Sequence, residues 1–260
     1  MKKFFVMTRG RTGSTAVMDS LNKTSSITTA QELFIKYKAN KKNSQSANKS
    51  DRFILRYDPW RQQNLGRIER VSEWLLRKDT SIVKYLDQVE NTVSKTDSKA
   101  FGFKVISHHL KQRPGLQNIL INRGYAIIYL TRNITRQVIS GMVAQKRGKY
   151  NAHANENYTN NSTFLIDIDD YISLVEKEKR FQQDELESLK LSGLEYTVIT
   201  YEDFVSNRDQ LFSDIFSFLK LELEKAPESS YMIMIESLKD TIKNYDQVCD
   251  TTKQLGMTLK

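Results

Sequence analysis

A short turn between an apolar run and a helix-like segment constrains the fold of this chain more than any other feature. The run Phe4–Met7 is continuously apolar, the turn Arg9–Thr15 contains two arginines and two glycines, and residues 14–23 have helical periodicity. A strand, a basic glycine-containing turn and a helix, in that order, direct backbone N–H groups and a helix N-terminus at one point. The turn therefore predicts a site for a phosphate or another oxyanion.

A second basic turn follows the strongest strand candidate, Tyr125–Thr131. Arg132 comes directly after that strand, and residues 133–147 have apolar positions at helical spacing. Arg132, Arg136 and Ser140 are spaced by four, which places them on one face of the helix. Because ligands of open α/β sheets bind at the carboxyl ends of the strands, both basic turns are expected at the same edge.

Strand candidates alternate with helical segments along the chain, and this order indicates an α/β fold with a mostly parallel sheet. We predict a single domain over residues 1–260, built as a three-layer sandwich. Its central sheet has about four to five strands, with helices on both faces. The predicted strands are residues 4–7, 101–106, 125–131 and 196–200, and the predicted helices are residues 14–23, 67–78, 133–147, 165–190, 207–219 and 231–244.

Charge is distributed very unevenly between the two parts of the chain. The first 160 residues carry 29 Lys and Arg against 11 Asp and Glu, a net charge of +18, whereas the last 100 residues carry −9. This asymmetry predicts that the first part faces an anion such as a nucleotide or a polyanionic substrate.

The remaining composition excludes several classes of protein. A single cysteine, Cys249, excludes a disulfide framework and fits a reducing compartment. Three histidines without metal-ligand spacing make no zinc motif. The apolar run after Met1 is too short for a signal peptide, and no stretch reaches the roughly 20 apolar residues of a membrane span. We therefore expect a cytoplasmic protein without a transmembrane segment.

The first turn is not a Walker A motif. That motif places four residues between its glycines and ends in Gly-Lys-Ser/Thr, whereas here Gly10 and Gly13 are followed by Ser14 and Thr15. No lysine is placed to reach a γ-phosphate, so the turn predicts a phosphate cradle without ATP hydrolysis.

Together the two turns resemble the motifs of the sulfotransferase family that uses 3′-phosphoadenosine 5′-phosphosulfate (PAPS). Arg11-Thr12-Gly13-Ser14-Thr15 is similar to the family's 5′-phosphosulfate loop, and Arg132 followed eight residues later by Ser140 is similar to its 3′-phosphate motif. Phe101–Lys104 and Tyr201–Phe204 resemble two further family segments in the same order. The resemblance covers residues 4 to about 220 and implies a P-loop NTPase-like fold.

The resemblance implies a role for each matching residue. Residues Thr12, Gly13, Ser14 and Thr15 would hold the 5′-phosphate, and Arg11, which replaces a lysine common in the family, would neutralise charge on the leaving phosphate. Arg132 and Ser140 would bind the 3′-phosphate, and Tyr201 would lie near the adenine. PAPS is the implied donor, adenosine 3′,5′-bisphosphate (PAP) is the product, and no metal is required.

Two alternatives remain for the catalytic base. Glu32 lies about 20 residues beyond the first turn, an arrangement similar to that of bacterial carbohydrate sulfotransferases. His108 and His109 follow the central strand, where cytosolic small-molecule members have a histidine, but the Lys-Thr-His-Leu-Pro pattern of those members is absent. The sequence favours Glu32 over His108.

We therefore predict a sulfotransferase that acts on a hydroxyl of a carbohydrate or glycan-type acceptor, with residues 38–66 and 148–163 as acceptor-side loops. Two other functions remain open. A P-loop nucleotide or sugar kinase would require a Walker lysine and Mg²⁺ ligands. A basic nucleic-acid-binding domain would fit the charge, but the chain has no nucleic-acid-binding motif.

Overall fold

The computed structural model describes residues 1–36, 54–76, 79–148, 150, 162–231, 235 and 237–259. These residues contain one sheet of five parallel strands in the order β2-β3-β1-β4-β5. The strands are β1 (Lys2–Thr8), β2 (Ile27–Ala30), β3 (Ala100–Ile106), β4 (Tyr125–Thr131) and β5 (Tyr196–Thr200).

The first strand lies at the centre of the sheet. Phe5 of β1 pairs with Phe103 of β3 on one side and with Ile127 of β4 on the other. Burial on both faces explains why β1 and β4 are continuously apolar in sequence. Since all the strands are parallel, the segments that follow β1, β3 and β4 meet at one edge of the sheet.

Helices cover both faces of the sheet. In chain order they are α1 (Ser14–Asn22), α2 (Tyr57–Asn64), α3 (Arg67–Leu76), α4 (Thr80–Val93), α5 (Ser107–Gln112), α6 (Leu116–Asn122), α7 (Ile134–Arg147), α8 (Ile168–Leu191), α9 (Tyr201–Ser206), α10 (Arg208–Phe218), α11 (Leu238–Thr241) and α12 (Tyr245–Gln254).

Two apolar clusters occupy the two faces. One face, with Phe5 and Phe103, packs against α2, α4 and α6, and the other, with Phe4 and Val6, packs against α1 and α10. A third cluster joins α7, α8 and α12. The predicted three-layer α/β sandwich with helices on both faces is confirmed.

The sequence patterns failed to predict one strand and several helices. The strand β2 has only four residues, Ile27–Ala30, and two of them are threonines. Residues 57–64 were expected in a loop but form α2, because Tyr57 and Trp60 are buried against Tyr85 of α4. The remainder of the two predicted acceptor-side loops, residues 38–53 and most of 148–163, lies outside the described residues.

In the predicted helix over residues 67–78, apolar residues at helical spacing would be expected to face the core, but three of them in α3 point outward. Ile68 is 85 % exposed, and Val71 and Leu75 are also exposed. The helix is held instead through its polar face, where Glu73 pairs with Arg61 at 3.0 Å and accepts a hydrogen bond from Ser81.

The predicted helix over residues 231–244 is wrong. Among the described residues there, only Leu238–Thr241 are helical. The side chain of Asn244 binds both the N–H and the C=O of Ile166, and this contact separates α11 from α12.

Candidate active site

The turn after β1 is fixed to the sheet by threonine hydroxyls. Thr8 Oγ1 donates to the carbonyl of Leu130 in β4 and lies 2.5 Å from Thr12 Oγ1, which also bonds to the carbonyl of Arg9. Thr12 is buried, and its hydroxyl is used within the turn by Thr8 and Arg9.

Two residues of this turn have left-handed backbone conformations. Arg11 has φ of 67° and Gly13, the N-cap of α1, has φ of 76°. Glycine adopts this conformation without steric cost, whereas arginine does not. The turn thus holds the charged side chain of Arg11 in a fixed direction at the start of α1.

Arg9 and Arg11 point to different parts of the molecule. Arg9 donates to Glu178 Oε2 at 2.5 Å and to Glu185 Oε1 at 3.0 Å, both on α8. Its guanidinium also lies 4.3 Å from the ring of Phe181. Only one of the two arginines of the turn is therefore left to bind an anion.

Arg11 instead lies beside the second basic turn. It donates to Ser140 Oγ from Nη2 at 3.1 Å, and Arg132 donates from Nη1 to the carbonyl of Arg11 at 3.0 Å. Neither Arg11 nor Arg132 has a carboxylate ion pair within the part of the chain that the structure describes. Burial, together with the neighbouring Arg132 charge, lowers the pKa of Arg11, and burial also lowers that of Arg132.

Arg132 has donor capacity that the protein does not use. Its Nε atom is buried and has no hydrogen-bond partner among the described residues. Its guanidinium is 4.7 Å from the centroid of the Tyr201 ring. The same ring packs against Gly13 so closely that a Cβ atom at residue 13 would lie 2.1 Å from a ring carbon of Tyr201. A buried guanidinium with an unused donor fits a phosphate.

The strand β3 contributes a residue that the sequence did not single out. Lys104, whose side chain is 5 % exposed, donates to Thr15 Oγ1 at 3.1 Å and pairs with Glu32 Oε1 at 2.9 Å. A lysine between Phe103 and Val105, in an otherwise apolar strand, was the available signal, since a buried lysine requires a partner.

Glu32 follows β2 and lies at the same edge of the sheet. Burial raises its pKa, but the adjacent Lys104 and then His109 outweigh burial, and the pKa of Glu32 is lowered. Glu32 is therefore a carboxylate at neutral pH.

These groups line one cavity of about 490 Å³. Its walls bring together the predicted residues Arg11, Gly13, Ser14, Thr15, Glu32, Arg132, Ser140 and Tyr201, with Lys104, Tyr150 and Ile235 as further members. Thr12 and His108 do not line the cavity, and His108 is exposed on α5.

The last described residues form hydrogen bonds with the second basic turn, at the start of α7. The carbonyl of Thr258 accepts hydrogen bonds from Asn133 Nδ2 and Thr135 Oγ1 at the start of α7. On the other side, Glu202 accepts from the backbone N–H of Asn133. Arg132 therefore lies next to a well-supported helix start.

Two searches of the described residues gave negative results. They contain no group of three or more His, Cys, Asp or Glu that could hold a metal ion. No helix in the described ranges combines the length and the apolar character needed to cross a membrane.

Comparison with known proteins identifies the family of this chain. A family model described as the sulfotransferase family matches residues 3–225. This chain belongs to the sulfotransferase family. The prediction of a PAPS-dependent sulfotransferase, with PAPS as the donor, is thereby confirmed.

Among solved structures, the chain is similar to a sulfotransferase from Alicyclobacillus acidocaldarius, with 14 % identity over 98 % of this chain and 95 % of that one and a TM-score of 0.47. It is also similar to a sulfotransferase domain from the curacin biosynthetic pathway, with 18 % identity over 87 % and 76 % and a TM-score of 0.44. Mouse sulfotransferase SULT7A1 complexed with PAP shows 11 % identity over 86 % and 60 %, with a TM-score of 0.41. A search of curated proteins gave no match.

Proposed function

We propose that the cavity between the two basic turns transfers a sulfuryl group from PAPS to an acceptor hydroxyl, with Glu32 as the base. The observation that carries the proposal is the meeting of Arg11 and Arg132, which have no carboxylate ion pair among the described residues, with the Glu32–Lys104 ion pair in one cavity. Arg11 and Arg132 line the cationic end of the cavity, which binds the anionic donor. Glu32 lines the other end, where the acceptor hydroxyl loses its proton.

The donor is bound by the residues that line the cationic end. The backbone of residues 12–15 and the hydroxyls of Ser14 and Thr15 hold the 5′-phosphate at the start of α1. Arg132 and Ser140 hold the 3′-phosphate, with the unused Nε of Arg132 as one donor. The ring of Tyr201, between Gly13 and Arg132, is a surface for the adenine.

The transfer step is an in-line displacement at sulfur. The acceptor oxygen forms a bond to sulfur, the bond from sulfur to the bridging phosphate oxygen breaks, and that oxygen retains the electron pair. Glu32 accepts the acceptor's proton, Arg11 stabilises the leaving phosphate, and Lys104 faces the sulfuryl oxygens. Positioning and charge stabilisation supply most of the catalysis, by analogy with phosphoryl transfer.

The acceptor class has two candidates. The carbohydrate acceptor predicted from the position of Glu32 stays a prediction. An alcohol on an apolar alkyl or aryl group is the second candidate, because Ile35, Ile106 and Ile235 line the same cavity as Glu32. A panel of lactose, octyl glucoside, 1-octanol and phenol separates them: turnover with the two sugars supports the first candidate, and turnover with 1-octanol or phenol supports the second.

The donor assignment is tested by thermal unfolding with PAP, ADP and AMP. A ligand at 100 times its Kd adds about 2.7 kcal/mol to the stability, which raises Tm by roughly 5–10 °C at about 2–4 °C per kcal/mol. We expect PAP to exceed ADP and AMP. Equal shifts with all three would remove the 3′-phosphate role of Arg132 and Ser140, and steeply salt-dependent binding regardless of the 3′-phosphate would favour a nucleic-acid-binding domain.

The base is tested with Glu32→Gln, which removes the carboxylate and preserves the shape of the side chain. We expect the PAP-induced shift in Tm to be retained and sulfuryl transfer to fall about 10²–10⁴-fold. Retained turnover would move the base to His108 or His109. The cytoplasmic location and the single-domain organisation stay predictions.

A further inference from the structure

A histidine that does not line the cavity lies directly behind Glu32. His109 of α5 has no exposed surface, and neither of its ring nitrogens has a hydrogen-bond partner among the described residues. Glu32 lies close to it, with 3.8 Å between His109 Nε2 and Glu32 Oε2. A buried imidazole with both nitrogens unpartnered loses its hydration without compensation, which requires a reason.

Glu32 uses its two oxygens on different neighbours. Oε1 faces Lys104 at 2.9 Å, and Oε2 faces His109. A movement of about 1 Å brings the 3.8 Å separation into hydrogen-bond range. The oxygen that Lys104 leaves free is thus the one that can pass a proton to the imidazole.

The proton released by the reaction needs an exit. Each transfer leaves one proton on Glu32, and Lys104 disfavours the neutral form of this carboxyl group. A donor and an acceptor bound in the cavity cover the open side of Glu32 and keep water from it. The proton can then leave Glu32 on the side that faces the protein interior, where His109 lies.

A second histidine continues this route to the surface. The rings of His108 and His109 are in edge-to-face contact, with centroids 4.4 Å apart, and His108 is exposed. Glu32, His109 and His108 thus lie in this order between the reacting end of the cavity and the protein surface.

We propose that His109 is a positioning residue that receives the proton from Glu32 and passes it through His108 to water. This inference rests on the proposed role of Glu32 as the base. In the balanced sequence, the proton leaves Glu32 Oε2, binds the lone pair of His109 Nε2 and regenerates the carboxylate. The resulting imidazolium then gives its Nδ1 proton to the lone pair of a His108 ring nitrogen, which leaves His109 neutral, and His108 releases a proton to water, with no change in oxidation state.

The charges around His109 suit a transient proton carrier. Burial lowers the pKa of His109 to about 4; Glu32 opposes this shift, whereas His108, Arg113 and Lys104 add to it. The imidazole is therefore neutral and able to accept a proton when the reaction begins. The pKa of Glu32 is also lowered, so its carboxyl group does not hold the proton tightly.

The first experiment measures steady-state release of PAP from PAPS, over many turnovers of the enzyme, with His109→Gln and, as the matched control, His108→Gln. Octyl glucoside serves as the acceptor, because it carries both sugar hydroxyls and an alkyl chain and so represents both candidate acceptor classes. We expect His109→Gln to slow release about 10-fold or more, a part of the 10²–10⁴-fold that general base catalysis contributes. His108→Gln should slow it less, since water reaches this exposed position. A rate for His109→Gln within twofold of the wild type would overturn the proposal.

A second pair of measurements separates proton transfer from structural support. His109→Ala should recover part of its rate with added imidazole, while both His109 variants retain the PAP-induced rise in Tm. Absence of rescue, or loss of the PAP response, would overturn the proposal in favour of a packing role.

The coupling of the two groups is tested without turnover, by NMR titration of His109 in Glu32→Gln. Because Glu32 raises the pKa of His109, its neutralisation should lower that pKa further. An unchanged pKa would overturn the coupling. If instead Glu32→Gln retains turnover, the proposed function of Glu32 fails, and this outcome is distinct from any result with His109→Gln.

Discussion

The two arginines of the first turn, two positions apart in sequence, lie in opposite electrostatic environments. Arg9 lies against α8, where Glu178 and Glu185 outweigh the effect of burial and raise its pKa. Arg11 lies against α7, where burial and Arg132 lower its pKa. The difference shows that the fold neutralises the charge of Arg9, whereas no carboxylate among the described residues pairs with Arg11, whose charge is therefore available to a bound anion.

Within the two basic turns, the largest expected effect comes from Arg11. Arg11→Ala removes the cation beside the leaving phosphate, and we expect turnover to fall about 10²–10³-fold, as on loss of one oxyanion-stabilising donor. Arg9→Ala, the matched control, should leave turnover within about threefold. Equal losses in PAP release would contradict the division of roles between the two arginines.

We expect acid to lower the free energy of unfolding because it protonates the buried His109. His109 has a pKa of about 4 in the folded protein and an ordinary value near 6.5 when unfolded, so the unfolded state binds more protons between these values. Stability is fully present above about pH 6.5 and falls as pH drops toward 4, by about 3 kcal/mol in all. Urea unfolding across this range should show a smaller fall in His109→Gln, and an equal fall would exclude His109 as the source.

The ion pairs between Arg9 and α8 are tested by measuring the stability of the protein and not its activity. Arg9→Ala leaves Glu178 and Glu185, both largely buried, without their shared cation. We expect a loss of about 1–3 kcal/mol in the free energy of unfolding, measured by urea titration. An unchanged midpoint would show that the pairing with α8 contributes nothing to the fold.

The smallest expected effect concerns the discrimination between nucleotides. Arg132→Ala should lower the affinity for PAP by about 10-fold, or 1.4 kcal/mol, with less change for AMP. Calorimetric titration of both nucleotides measures the ratio. A parallel loss for PAP and AMP would assign Arg132 to a phosphate that both nucleotides carry.

The sheet was predictable because its central strands are buried on both faces. Phe4–Met7 and Tyr125–Thr131 are continuous apolar runs, and the basic turns follow them directly. The strand β2 was missed because four residues with two threonines give no such run. The outward-facing Ile68 shows that periodicity finds a helix without identifying which face is buried.

The site was predictable where a motif is local and unpredictable where contacts are long-range. Arg11–Thr15 and Arg132 with Ser140 could be found from spacing alone. The separate fates of Arg9 and Arg11 depend on Glu178 and Glu185, about 170 positions further along the chain, and no local pattern encodes that pairing.

The left-handed backbone at Arg11 has a consequence for the evolution and engineering of this turn. A non-glycine residue in this conformation costs about 1–2 kcal/mol, so Arg11→Gly relieves strain in the folded state at the position where the side chain is most needed. Any survey that selects variants for resistance to heat alone would be drawn to glycine here and would recover inactive protein. Selection for turnover would keep arginine at residue 11. Thermal stability and activity therefore favour different residues at this position.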